Sequence, residues 1–147
     1  MARRSSGAQP AVVKVASFAG GPARVKSLLD YLSRQGELSV EDETGTEIHG
    51  REQVLGFLGV FWDAFPDGRL ETSRLLAEGS VVAAEGQFTG THTGVMRTPA
   101  GDVAATGRHV DVPWMSSYEI RGDELASEHL YFDQAAMLSQ LGLMPAS

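Results

Sequence analysis

Residues 127–142 read Ser-Glu-His-Leu-Tyr-Phe-Asp-Gln-Ala-Ala-Met-Leu-Ser-Gln-Leu-Gly, and the periodicity changes in the middle of them. The first half alternates as a strand does: Ser127, His129, Tyr131 and Asp133 fall on one face, Glu128, Leu130 and Phe132 on the other. From Gln134 the apolar residues Met137, Leu138 and Leu141 are three and four apart, the spacing of a short amphipathic helix that Gly142 can close. A strand that turns directly into a helix implies a sheet with at least one helix beside it. Asp133 stands at the junction, where a carboxylate is either a helix cap or a catalytic base.

Working outward, the preceding segments are also strands. Gly122-Asp123 is a turn, Gly107 to Trp114 is a strand, and Met115 to Arg121 continues it after Pro113 with Trp114, Tyr118 and Ile120 on one side. Gly94 to Thr106 reads as a loop. Val81 to Thr93 is a long strand with Val82, Ala84, Phe88 and His92 on one face, and its interior glycines, Gly86 and Gly90, mark a bend or bulge in a curved sheet. Leu70 to Ala77 alternates before the Glu78-Gly79 turn. Further upstream, Val54, Leu58, Phe61 and Phe65 share one helix face, flanked by Phe57 and Trp62, and Pro66 stops the helix. Glu37 to His49 contains a strand or hairpin interrupted near Gly45. Pro22 opens a second helix through Val25, Leu28, Leu29 and Leu32 that ends near Gly36, and Ala11 to Phe18 is short, apolar and ambiguous. Helices first and antiparallel strands afterwards define an α+β domain: a strongly curved sheet of four or more strands wrapped on helices near 22–36 and 51–64, with a pocket in its concavity.

The chain has 147 residues and a mass of 15.7 kDa, which fits one domain over 11–147 behind a flexible tail at 1–10. Its net charge of -7 is scattered and not basic, so a phosphate backbone is excluded as partner, and no apolar run is long enough to cross a bilayer. The absence of cysteine removes disulfides and thiolate nucleophiles and suits a cytoplasmic address. The four histidines lack metal-ligand spacing, so no metal site is expected.

Several motifs occur in a consistent order: Phe65-Pro66-Asp67 at the end of a helix, Gly86-Gln87-Phe88-Thr89-Gly90-Thr91-His92-Thr93-Gly94, Thr106-Gly107-Arg108, Tyr131-Phe132-Asp133-Gln134, and Gln140-Leu141-Gly142-Leu143. Together, over about residues 50 to 145, the chain resembles the SnoaL-like polyketide cyclases of the nuclear transport factor 2-like superfamily. The resemblance implies a conical α+β barrel, usually a homodimer, whose largely apolar pocket takes a small molecule and needs neither metal nor organic cofactor. It also implies intramolecular aldol ring closure on a polyketide-like substrate, with the aspartate corresponding to Asp133 as general acid/base. The short acidic run from Glu37 to Gly45 departs from the family, which leaves the substrate open.

The chemistry can be reasoned on its own terms. An aldol closure removes a proton beside a carbonyl, stabilises an oxyanion and returns a proton to the new alkoxide. Asp133 is the candidate catalytic base, and His92 the candidate oxyanion donor. Tyr131, His129, Phe61, Trp62, Phe88, Trp114 and Tyr118 are candidate substrate-binding residues, the aromatics being core residues first of all. Plain structural roles stand beside these: Asp133 as cap, His92 as a hydrogen-bonded strand residue, His129 as solvent-facing or a subunit contact, His49 in a loop, and His109 and Asp111 on a half-exposed strand. Other readings keep the pocket and change the reaction (an epoxide hydrolase, an isomerase or a hydroxylation accessory), or make the fold a non-catalytic ligand-binding module.

Overall fold

The computed structural model describes residues 39–42, 44–121 and 124–144. The expected tail, the segment 11–18, the helix near 22–36 and the Gly122-Asp123 turn lie outside them. Two short strands, β1 (Ser39–Glu41) and β2 (Glu47–His49), form an antiparallel hairpin around Gly45, as its φ of 83° allows. The helix α1 (Arg51–Ala64) follows. It buries Val54, Trp62, Ala64 and, just past its end, Phe65, while Leu58 and Phe61 are partly covered. Pro66 ends it, having no N–H to continue the ladder.

The sheet continues with β3 (Arg69–Glu78), β4 (Val81–Thr91), β7 (His109–Arg121) and β8 (Glu124–Phe132), and the helix α2 (Gln134–Gln140) follows β8 directly. Six strands lie in the order β2-β1-β8-β7-β4-β3, every neighbouring pair antiparallel except β1 with β8. Among the described residues β2 and β3 are free edges, so the expected conical barrel is an open, curved sheet and not a closed one.

Curvature has visible sources. The register of β3 on β4 slips between Thr72 and Arg74, opposite Gly86, and that of β7 on β8 slips between Glu119 and Ile120. Such bulges bend a strand and tighten its twist. The bulged residue is therefore Ser73 on β3, while Gly86 makes room for it: a Cβ at Gly86 would sit 1.7 Å from the Glu71 carbonyl oxygen. Past the bulge the alternation of β3 shifts by one, so Leu70 and Leu75 face the core and Leu76 faces out.

Of two readings of the sequence, the strand continuing through Pro113 holds and the loop after Gly94 changes. The segments on either side of Pro113 form one continuous strand, β7. Asp111 directs its N–H to the Gln140 side chain of α2 at 2.7 Å, away from β4, and by strand periodicity the nitrogen of Pro113 faces the same way. The ladder with β8 ends at the Trp114–Phe132 pair, so no partner on that side misses the proline's proton. The region Gly94–Thr106 is also more than a loop, since it holds a small hairpin of β5 (Met96–Thr98) and β6 (Gly101–Val103) that buries Met96 against α1.

The core lies between α1 and the inner face of the sheet. Phe61 meets Phe57, Phe88 and Phe132 edge-on at centroid distances of 5.6, 6.4 and 5.8 Å, and Phe65 and Trp62 close on Phe88 from the other side. Val82, Ala84, Phe88, Val112, Trp114, Ser116 and Tyr118 form the facing layer, with the alternate residues of each strand turned outward.

Candidate active site

The inner face of β7 presents Trp114, Ser116 and Tyr118 in sequence, and the antiparallel register sets Glu128 of β8 opposite Tyr118. The Ser116 hydroxyl donates to the Glu128 carboxylate at 2.7 Å, and the Tyr118 hydroxyl also hydrogen-bonds to it. Burial pushes the Glu128 carboxyl above the ordinary glutamate range, against the downward pull of those two hydroxyls. The same burial, with the Glu128 charge beside it, drives the Tyr118 phenol well above its ordinary value. Ser116 is fully enclosed, whereas Glu128 keeps some contact with solvent although its carboxyl lies deep. A carboxylate held by two hydroxyls and raised in pKa by burial has the chemistry to take a proton from carbon and return it.

Sequence reasoning passed over Glu128. Strand alternation separated it correctly from His129 and Tyr131, but alternation cannot tell which face is turned inward. The usable signal was the apolar company of Glu128, which shares its face with Leu130 and Phe132.

The other candidates fall in three places. Asp133 is exposed, and its carboxylate accepts from the Ala136 N–H at 2.9 Å, capping α2. Tyr131 and His129 lie on the outer face, where the phenol meets His129 Nδ1 at 3.0 Å, the rings stack at 4.2 Å, and His129 Nε2 stands 3.6 Å from Glu41. Phe61, Trp62, Phe88, Trp114 and Tyr118 do gather between α1 and the inner face.

His92 is fully buried one residue beyond β4, tilted against Phe65 at 5.4 Å. Its Nδ1 accepts the Thr106 N–H at 3.2 Å, which leaves the proton of the neutral ring on Nε2. Its backbone N–H and carbonyl pair with Arg108 and Gly107, fastening the start of the β5–β6 excursion to its end. Burial lowers its pKa and keeps the ring neutral. The register sets Thr91 opposite His109 and Glu128 opposite Tyr118. Nine residues of β7 thus separate the two levels, roughly 30 Å of extended strand. Asp133 follows Phe132, the partner of Trp114, so it lies about 16 Å along the strand from His92 with two strand spacings between them. The structure brings His92 close to neither carboxylate.

A hollow of about 410 Å³ is lined by Tyr118 and Glu128 together with Val40, Glu41, Glu47, Glu119 and His129. Its walls combine acidic and polar groups with the apolar Val40 and Val81. Among the described residues no three His, Asp or Glu side chains converge as metal ligands, and no helix is long and apolar enough to cross a membrane.

An α+β sheet of this topology with a helix-covered inner face is the architecture of nuclear transport factor 2-like proteins, and the comparisons agree. The family described as SnoaL-like polyketide cyclase matches residues 23–141, and the chain belongs to it. A protein from Jannaschia sp. CCS1 assigned as a SnoaL-like polyketide cyclase superposes with a TM-score of 0.80 at 18% identity, over 99% of this chain and 100% of that one. IdmH from Streptomyces antibioticus, assigned as a polyketide cyclase, gives 0.69 at 21% identity, over 91% and 97%. AclR from Streptomyces galilaeus, assigned as a hydroxylase, gives 0.70 at 19%, over 92% and 82%. A comparison with curated protein sequences finds no match.

Proposed function

We propose that this chain closes a ring in a polyketide-like carbonyl substrate by intramolecular aldol condensation, with Glu128 transferring the proton. The family and the polyketide cyclase likeness of IdmH support the substrate class, and the desolvated Glu128 beside Ser116 and Tyr118 carries the choice of base. Glu128 removes a proton from a carbon beside a carbonyl; the enolate carbon attacks a second carbonyl carbon of the same molecule; the alkoxide recovers the proton from the Glu128 acid. One carbon–carbon bond forms, and atoms and charge balance with side chains alone. The resemblance gives this role to Asp133. The cap geometry supplies Asp133 with a task that needs no substrate, whereas Glu128, which also accepts from Ser116 and Tyr118, is the carboxyl that burial raises in pKa.

The two carboxylates separate in one experiment, ring closure of a 1,3-dicarbonyl surrogate followed by chromatography. Glu128→Gln keeps the shape and loses the proton acceptor, so turnover falls by ~10² or more. Asp133→Asn caps almost as well and keeps activity near that of the unsubstituted protein. The reverse pattern would return the role to Asp133.

The same reading includes a homodimer formed through the outer face of the sheet, supported by Leu76, Met115 and Tyr131, which stand exposed there.

A further inference from the structure

Two described side chains bury a polar atom that has no hydrogen-bond partner: His92 through Nε2 and Trp114 through Nε1. His92 braces the chain through Nδ1 and its backbone far from Glu128, which leaves its Nε2 unpartnered. Trp114 is not explained, since its indole is 5% exposed, sits on the inner face, and carries an N–H that is a donor only. Buried donors are nearly always paired, so an orphan on the inner face of the sheet points to an acceptor that arrives from outside.

The surroundings say what kind of acceptor. Trp114 pairs across the ladder with Phe132, which meets Phe61, and Phe61 meets Phe88. An anion would be poorly solvated among these rings, while a neutral carbonyl oxygen on a planar, apolar frame would be accepted. We infer that Trp114 Nε1 anchors a carbonyl oxygen of the substrate, setting the register of the molecule relative to Glu128. The inference deepens the proposed function and rests on it for the second point only. Trp114 and Tyr118 are four residues apart on β7, and Glu128 is opposite Tyr118. Anchor and base are thus separated by about 13 Å along the strand. A compound held at both ends is an extended one with several carbonyl groups, not a single small ketone.

The test uses 1-tetralone and its carbonyl-free counterpart 1,2,3,4-tetrahydronaphthalene as probes, followed through the indole N–H signals in proton–nitrogen correlation spectra. The chain has two tryptophans, Trp62 and Trp114, so Trp114→Phe or Trp62→Phe assigns the resonances. With 1-tetralone the Trp114 indole proton moves downfield; with the hydrocarbon it does not. Trp114→Phe keeps an aromatic ring without the N–H and weakens binding of 1-tetralone by about tenfold more than that of the hydrocarbon. Should Trp114→Phe not fold, the spectra of the unsubstituted protein decide alone. An indole proton that responds equally to both probes, or to neither, overturns the anchor. Glu128→Gln separates the two ideas: if the anchor holds and the base assignment fails, 1-tetralone still shifts the indole signal while ring closure survives the substitution.

Discussion

A carboxylate on the inner face of a sheet is held there against its own solvation, and Glu128 shows which way that pushes stability. Its folded pKa is raised above the ordinary value by burial. The folded state therefore holds the proton more tightly than the unfolded state, and the resulting stabilisation is complete below the unfolded pKa and lost as pH rises through the folded one. Glu128→Gln removes that loss. We expect the variant to melt higher than the unsubstituted protein at neutral pH, the direction set by the raised pKa of Glu128. Near pH 4 the gap should close, and calorimetry at the two pH values checks it; an equal gap at both would show that the ionisation of Glu128 is not its source. Better stability with poorer turnover in one substitution is what a catalytic carboxylate predicts. The residue scale is also where the sequence was least legible. Asp133 could be placed at its strand-to-helix junction from periodicity alone, cap included. Glu128 lay in the same stretch with the same kind of side chain, but its chemistry depends on Ser116 and Tyr118, distant in sequence and brought near only by the register of β7 on β8.

Elements were more legible, because periodicity reports them directly. The helix from Arg51, its stop at Pro66, the hairpin around Gly45 and the long strands β3, β4 and β7 all follow from spacing and breakers. The small β5–β6 hairpin did not, since three-residue strands are too short to show an alternation. Nor did the location of the bulge: the glycine marked the bend, while the extra residue sits on the neighbouring strand. Gly86→Ala tests that account. Its Cβ would collide with the Glu71 backbone, which cannot rotate away, so the variant should lose ~1–3 kcal/mol in urea unfolding, as overpacked sites do. Gly56→Ala in α1 is the control, because nothing stands within 4 Å of its Cβ. There the better helix propensity of alanine should raise stability by up to about 1 kcal/mol. If both variants behaved alike, the tight approach of β3 to β4 would not be what requires glycine.

For the whole molecule, the two faces of the sheet pose different problems. The inner face is covered by α1 and its aromatics, whereas the outer face leaves Leu76 at 64%, Met115 at 48%, Tyr131 at 47% and Val81 at 44% exposure. Large apolar side chains gathered on one face of a sheet mark a surface that is covered in solution. A second copy of the chain suits it, since a two-fold axis would set the same patch against itself, with the Arg74–Glu85 pair at 3.3 Å beside Met115. About 800 Å² per partner is the usual requirement for a stable contact, and a sheet with strands of 9 to 13 residues offers a broad enough platform. Light scattering at micromolar concentration should accordingly return about twice the chain mass of 15.7 kDa. Leu76→Asp with Met115→Asp places two charges on the face without touching the inner layer, and should give the single-chain mass with the far-ultraviolet circular dichroism unchanged. A single-chain mass for the unsubstituted protein would refute the dimer. The double variant also shows whether the inner site is complete within one chain: the site as described draws Glu128, Ser116, Tyr118 and Trp114 from a single protomer, so ring closure per chain should persist in the monomer.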